Sequence, residues 1–290
     1  MTDLRLLGVY AHPDDESYAT GGTLARYARS GVEVHVCTVT DGASGSVEPA
    51  PGESVQPADL VQLRHQELLC AVGVLGAQLW TLNYRDSGME GTPENHHPDS
   101  LYQADLDRVA RDLVRLIRRV RPHVMITHDP TGGYYHPDHI RVNHAVNRAW
   151  PRAGDAGAYP ELAAEGLAPW QPSRLYYLVL ARSTLRWRLL VLRLLGRNPR
   201  RFGRQGDIDL TRLGLPDDQI QVKLDVSGTV DLKLQASACH RSQGGESRLW
   251  PRFLRRRFLR YEYYVQAQPP GAAKQHDLFN GVRYAPPDLV

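Results

Sequence analysis

The chain has 290 residues and a net charge of +3, with 42% hydrophobic and 23% charged residues. That balance belongs to a soluble globular protein, large enough for one α/β domain or for a core with a smaller C-terminal extension. It excludes a membrane-spanning chain, since no apolar stretch reaches bilayer length. At the N-terminus Asp3 precedes a short apolar run with no basic segment before it. That is a poor secretory signal, and a cytoplasmic location is expected. Cys37, Cys70 and Cys239 are odd in number, far apart and without a CxxC pair. Such spacing predicts free, buried thiols in a reducing compartment.

In chain order, apolar runs predict strands at 4–11 and 32–40, with a helix at 21–30 between them. A loop rich in Gly, Ser, Pro and acids covers 42–57, followed by a helix at 57–73 and a strand at 78–83. A second long loop, 86–100, leads to a helix at 105–121. There Leu106, Val109, Leu113, Leu116, Ile117 and Val120 recur at helical spacing with Arg between them. A strand at 123–128, a helix at 137–150, a Pro/Gly/Ala connection at 151–172 and a strand at 174–180 follow. Short apolar strands separated by helices predict βαβ units in a mostly parallel, Rossmann-like α/β sheet flanked by helices.

The last third reads differently. From Arg182 to Arg204 every basic residue is Arg and no acid intervenes, and a second basic block runs from Arg248 to Arg260. Within the first block, residues 185–195 mix Arg, Leu and Trp. The segment fits a helix packed on its own domain with Arg outward, a contact with an anionic membrane surface, a face for a second subunit in a homo-oligomer, or a lid. Nucleic acid is not expected, because the Arg blocks lack a recognised module. A strand at 219–226, helices at 230–240 and 253–259, a strand at 261–265 and an aperiodic tail from 269 complete the chain. The division expected is a metal-dependent core at 1–170 and an α+β extension at 171–290 that completes the sheet and the pocket.

Two His-Pro-Asp tripeptides carry the chemistry, one in Ala11-His12-Pro13-Asp14-Asp15-Glu16 and one in His136-Pro137-Asp138-His139. Each follows a predicted buried strand, where open α/β sheets place their ligands. A catalytic zinc ion takes three protein ligands from His and carboxylates and keeps a position for water. His12 and Asp15 can meet at one point from a turn, and His139 supplies the third ligand if the two strand ends are adjacent. Asp14 then stands beside the metal-bound water as general base, since zinc lowers the pKa of that water towards roughly 7. His136 suits a proton donor or, as imidazolium, an oxyanion partner. Asp138 reads as a supporting group or helix cap, while His128 and Asp129 either orient His136 or belong to the loop.

The first motif, with Gly132-Gly133-Tyr134-Tyr135-His136-Pro137-Asp138-His139, resembles the paired signature of the LmbE/PIG-L zinc-dependent N-deacetylases. That family includes the deacetylases of mycothiol, bacillithiol and glycosylphosphatidylinositol synthesis. The resemblance covers roughly residues 4–150, with further family-like pieces at Arg64-His65-Gln66-Glu67, Arg85-Asp86-Ser87-Gly88-Met89 and His240-Arg241-Ser242-Gln243. The Arg-Asp-Ser-Gly-Met piece and the chain length are most similar to the mycothiol-type branch. The resemblance implies metal ligands at His12, Asp15 and His139, a base at Asp14, and oxyanion-side or acid groups at His136 and Tyr134. It also implies sugar-hydroxyl contacts at Arg64 and Asp86. By composition alone, Arg64 is a solvated helix residue paired with Glu67. Tyr135 stands where the family more usually has Gly, a departure that bears on the pocket and on Tyr134.

The activity implied is hydrolysis of the acetamide of an N-acetylglucosamine-type substrate, releasing acetate, with Zn2+, Fe2+ or another divalent ion as cofactor. The alternatives are a membrane-surface deacetylase of a glycolipid and an amidase acting on a mycothiol- or bacillithiol-type conjugate. His240 and Gln243 either close the pocket or end a helix. Two His and one carboxylate also form the facial triad of non-haem Fe(II) oxygenases, but βα alternation argues against it. Thr20-Gly21-Gly22 without a GxGxxG is a weak dinucleotide signal. An interaction module with a vestigial site is disfavoured by retention of every expected ligand and of Asp14.

Overall fold

The computed structural model describes residues 3–45, 57–201, 206, 208–244, 252–271 and 273–282. The expected loop at 42–57 lies outside them from 46 to 56, as do Arg204, Arg248 and the tail beyond 282. The elements in chain order are β1 (Arg5–Tyr10), α1 (Asp15–Arg29), β2 (Glu33–Thr40), α2 (Pro57–Leu75), β3 (Gln78–Tyr84), α3 (Leu106–Val120) and β4 (Val124–His128). Then come the single turn α4 (Gly132–Tyr135), α5 (Pro137–Ala153), α6 (Pro160–Ala164), β5 (Arg174–Val179) and α7 (Arg182–Leu194). The C-terminal part holds β6 (Val222–Asp225), α8 (Val230–Cys239), α9 (Arg252–Phe258) and β7 (Tyr261–Gln268).

The strands form one sheet in the order β3-β2-β1-β4-β5-β7-β6. The five strands from β3 to β5 are parallel, and β7 runs antiparallel to both β5 and β6. From Leu6 to Tyr10 β1 is apolar and buried because both faces of the sheet are covered. Leu6 and Tyr10 join the core under α1, α2 and α8, while Leu7 and Val9 join the core under α3 and α5. The helix α3 buries Val109, Leu113, Leu116, Ile117 and Val120, and Asp105 caps its start by accepting from the Asp107 amide at 2.9 Å. The sheet continues unbroken across residue 170, so the later segment adds strands to the same sheet.

Three expectations change. α1 begins at Asp15 rather than 21, because Gly21 and Gly22 lie inside it. A Cβ on Gly22 would come within 2.7 Å of Val226, so this helix face accepts α8 and its preceding turn only with the side chain removed. α5 continues through Pro151 to Ala153, beyond its expected end at 150. Most consequentially, Cys70 and Cys239 form a disulfide, and Cys37 alone is free. α2 and α8 pack against each other, which joins two cysteines that are 169 residues apart in sequence. The composition argument for a reducing compartment therefore loses its basis.

Residues 182–194 are the helix expected for the Arg/Leu stretch. Leu185, Leu189 and Leu192 turn inward, while Trp187, Leu190 and Leu194 are exposed along the outer side. Among the described residues no helix is long and apolar enough to cross a membrane.

Candidate active site

Chain order reverses between β1 and β4, which are neighbours in the sheet although β2, β3 and their helices separate them in sequence. Crevices at such switch points, beyond the carboxyl ends of the strands, are where open α/β sheets bind ligands. The register sets Val9 beside Thr127, so residues 11–16 and 128–139 leave the sheet side by side. Both His-Pro-Asp segments thus share one crevice.

His12, Asp15 and His139 converge there. His12 Nδ1 lies 3.1 Å from His139 Nε2 and 3.6 Å from Asp15 Oδ2, and His139 Nε2 lies 3.4 Å from the same Asp15 oxygen. Outer partners set the tautomers of both rings. His139 Nδ1 faces the Gly132 carbonyl at 3.1 Å, and His12 Nε2 faces Asp138 Oδ2 at 3.3 Å. With protons on those nitrogens, the lone pairs of His12 Nδ1 and His139 Nε2 point at each other and at a carboxylate oxygen. Such an arrangement needs a cation between them. Tetrahedral zinc with bonds of about 2.0–2.1 Å holds its donors about 3.3–3.4 Å apart, close to the spacings found here. His12 and His139 each also belong to two of three wider donor groups, which bring in His136, His128 with Asp15, or Asp86 with Asp138. The cluster fits a divalent metal ion.

Asp14 precedes α1 with φ 138° and ψ −28°, a conformation that costs a residue with a side chain about 1–3 kcal/mol unless its surroundings impose it. Burial pushes its carboxyl up to about 6, against the pull of Arg64. Arg64 is buried on α2 and reaches back to Asp14 Oδ2 at 3.3 Å, while donating to the carbonyls of Pro13 at 2.7 Å and Gly42 at 2.8 Å. The expected solvated pairing with Glu67 is absent from the contacts of Arg64. Glu67 instead accepts from Ser242 N at 2.8 Å and Ser242 Oγ at 2.6 Å. Asp86 is also buried, 3.5 Å from His12 Nε2, and accepts from Gly88 N at 2.9 Å. Its carboxyl is held well below the usual range: burial works against this, and His12, Gly88 and Arg64 outweigh it.

His136 stands over His12 with ring centroids 4.5 Å apart, and its Nδ1 accepts from the Asp138 amide at 3.2 Å as the cap of α5. The neutral ring therefore carries its proton on Nε2, and an imidazolium would forfeit the cap. Burial, with His12 and His139 nearby, holds its pKa well below the usual value. The Tyr134 ring lies 5.1 Å from that of His139 and 5.8 Å from that of His136. Tyr135 has φ 68°, the left-handed region that explains a Gly at this place. Tyr135 is 47% exposed, and its ring lies beneath Arg212.

Five further residues surround the crevice. His128 stacks on His139 at 3.9 Å and faces Asp15 Oδ2 at 3.5 Å, so it backs those two side chains rather than orienting His136. Asp129 shapes the turn before Tyr134 by accepting from Thr131 N and Gly133 N, each at 2.9 Å. Asp138 is fully buried and accepts from Ser87 N at 2.9 Å. Glu16 and His240, both completely buried, form a 2.8 Å pair directly behind Asp14. Glu16 follows Asp15 in the first motif, but an acidic residue in a first helical turn has an ordinary reading, and its partner lies 224 residues away.

Comparison with known proteins adds an independent line. The family described as PIG-L: GlcNAc-PI de-N-acetylase matches residues 7–150. A 1D-myo-inositol 2-acetamido-2-deoxy-alpha-D-glucopyranoside deacetylase of Rhodococcus erythropolis is 36% identical over 297 residues, spanning 96% of this chain and 97% of that protein. Among solved structures, an N,N'-diacetylchitobiose deacetylase from Pyrococcus horikoshii aligns with a TM-score of 0.59 and 22% identity, over 86% of this chain and 73% of its own. GalB, a 4-carboxy-2-hydroxymuconate hydratase from Pseudomonas putida KT2440, aligns with a TM-score of 0.61 and 21% identity, over 94% and 99%. A hydratase and a deacetylase share this fold, so the residues of the crevice, and not the fold, specify the reaction.

Proposed function

Since the chain belongs to the PIG-L family of de-N-acetylases, we propose that it is a zinc-dependent hydrolase that removes the acetyl group from an N-acetylglucosaminide, with Asp14 as general base. The observation that carries this reading is the meeting of His12 Nδ1, Asp15 Oδ2 and His139 Nε2 within 3.1–3.6 Å of one another, beside a strained carboxylate. His12, Asp15 and His139 would hold the metal, and Zn2+ fits their donors, with Fe2+ or another divalent ion as a substitute. When bound, the ion polarises the acetyl carbonyl and lowers the pKa of water to near neutrality.

Asp14 takes the proton of the attacking water. Arg64 occupies its Oδ2, which leaves Oδ1 for that transfer. The His136 Nε2–H and the Tyr134 hydroxyl donate to the oxygen that gains charge as the carbonyl becomes tetrahedral, donors already in place before the reaction. The proton that Asp14 took from the water passes on to the leaving amine, because the neutral His136 would become an imidazolate if it gave one, and acetate and the free amino sugar depart. Arg64 and Asp86, next to Asp14 and His12, receive the sugar hydroxyls.

The full-length similarity to inositol-linked relatives supports 1-linked myo-inositol as the aglycone. The test is acetate release from N-acetylglucosaminides carrying inositol, malate, a lipid or a second sugar, with metal analysis of the same sample. The inositol conjugate should give the highest kcat/KM. No acetate from any of them, with a metal-loaded protein, would refute the reading.

A further inference from the structure

Asp14 is held in a conformation that its own backbone resists, so something around it must impose the geometry. Two groups grip the peptide. Arg64 donates to the Pro13 carbonyl from one side at 2.7 Å. On the other side the Asp14 amide donates to Glu16 Oε2 at 3.0 Å. Glu16 has no exposed surface, so its carboxylate can serve as that acceptor only if its second oxygen is satisfied too. Glu16 Oε1 accepts from His240 Nε2 at 2.8 Å and from Ser17 Oγ at 2.5 Å. His240, itself fully buried, thereby fixes the rotamer of Glu16 from the far end of the chain.

The same turn secures the second helix. Ser242, two residues after His240, donates twice to Glu67 on α2, one helical turn from Arg64. Residues 240–243 therefore clip α1 and α2 together at the two points that hold Asp14. Glu67, engaged by Ser242, leaves Arg64 free to face Asp14.

We propose that His240 is a positioning residue: acting through Glu16, it imposes the strained backbone of Asp14 and so aims the general base. This rests on the assignment of Asp14 as base. A side chain misplaced by about 1 Å can lose about 10²-fold in rate, which sets the scale of the effect.

The test compares His240→Asn with His240→Gln in metal-loaded protein. The Gln amide reaches the place of the imidazole Nε2, and the shorter Asn amide falls short of Glu16. His240→Asn should lower kcat by roughly 10- to 100-fold with KM within about threefold of the parent, and His240→Gln should recover most of that loss. Combining His240→Asn with Glu16→Gln should cost little more than either alone, because both act through one contact. Amide hydrogen exchange at Asp14 supplies a readout independent of turnover: protection should fall in His240→Asn and persist in His240→Gln. Parent-like Asp14 protection, or a kcat within threefold of the parent, in His240→Asn would overturn the proposal. A parent enzyme that releases no acetate would refute the deacetylase reading, and the exchange measurement would still decide whether His240 holds Asp14.

Discussion

Replacing Cys70 with Ser removes the covalent link between α2 and the end of α8, and its cost can be worked from the loop it closes. The bonded cysteines are 169 residues apart. In the chain-entropy treatment a loop of that length restricts the unfolded chain by about 5 kcal/mol at 25 °C, the upper end of what disulfides contribute. A chain of 290 residues has an unfolding entropy of about 0.6 kcal/mol/K, so Cys70→Ser should melt about 8 °C below the parent. Calorimetry under non-reducing conditions measures this, and reductant should bring the parent down to the variant's melting temperature. Thiol titration of the denatured, unreduced parent should find one free thiol, that of Cys37. Three free thiols, or a variant melting within about 2 °C of the parent, would refute the reasoning.

The remaining predictions concern the crevice and one distant histidine. Asp14→Asn keeps the shape of the base without its basicity, so acetate release should fall by about 10²–10⁴-fold while metal content stays at the parent level. Loss of metal in that variant would make Asp14 a ligand instead. Chelation should abolish turnover and lower the melting temperature by about 4 °C relative to protein with zinc at a hundredfold excess over its Kd, with zinc restoring both. Full activity after exhaustive chelation would exclude the metal. His123 accepts from the Arg5 amide at 3.2 Å, and burial, Arg5 and Arg121 hold its pKa at about 4, against about 6.5 unfolded. The unfolded chain therefore binds the extra proton first. The contribution of His123 to stability is complete above pH 6.5 and declines as pH falls towards 4. Acid melts of His123→Gln should lack that portion of the decline, and parallel curves for parent and variant would count against it.

Much of this was legible in the chain. The apolar runs before His12 and after Pro122 read as strands because both faces of the sheet are covered, and the histidines at their ends read as ligands because they follow such strands. The junction of β1 with β4 could be anticipated only as a condition, since chain order does not state which strands are neighbours. α1 was harder to see, for the glycines that weaken its helical pattern are the ones that let Val226 and Lys233 approach. The disulfide and the pairing of His240 with Glu16 left no local trace. Each joins groups more than 160 residues apart, and each exists only because α8 lies across α1 and α2. The sites of Tyr134 and Arg64 came from family resemblance, because a tyrosine in a turn and an arginine on a helix have ordinary explanations.

The φ of 138° at Asp14 sets fitness for turnover against fitness for folding. Glycine adopts such a backbone freely, and the relief of about 1–3 kcal/mol exceeds the roughly 0.5–1 kcal/mol of chain freedom that glycine loses on folding. Asp14→Gly should therefore melt at or above the parent temperature while releasing no acetate. A screen that rewards durability alone should then discard the Asp14 carboxylate, which as the proposed base would persist at this position only under selection for the reaction.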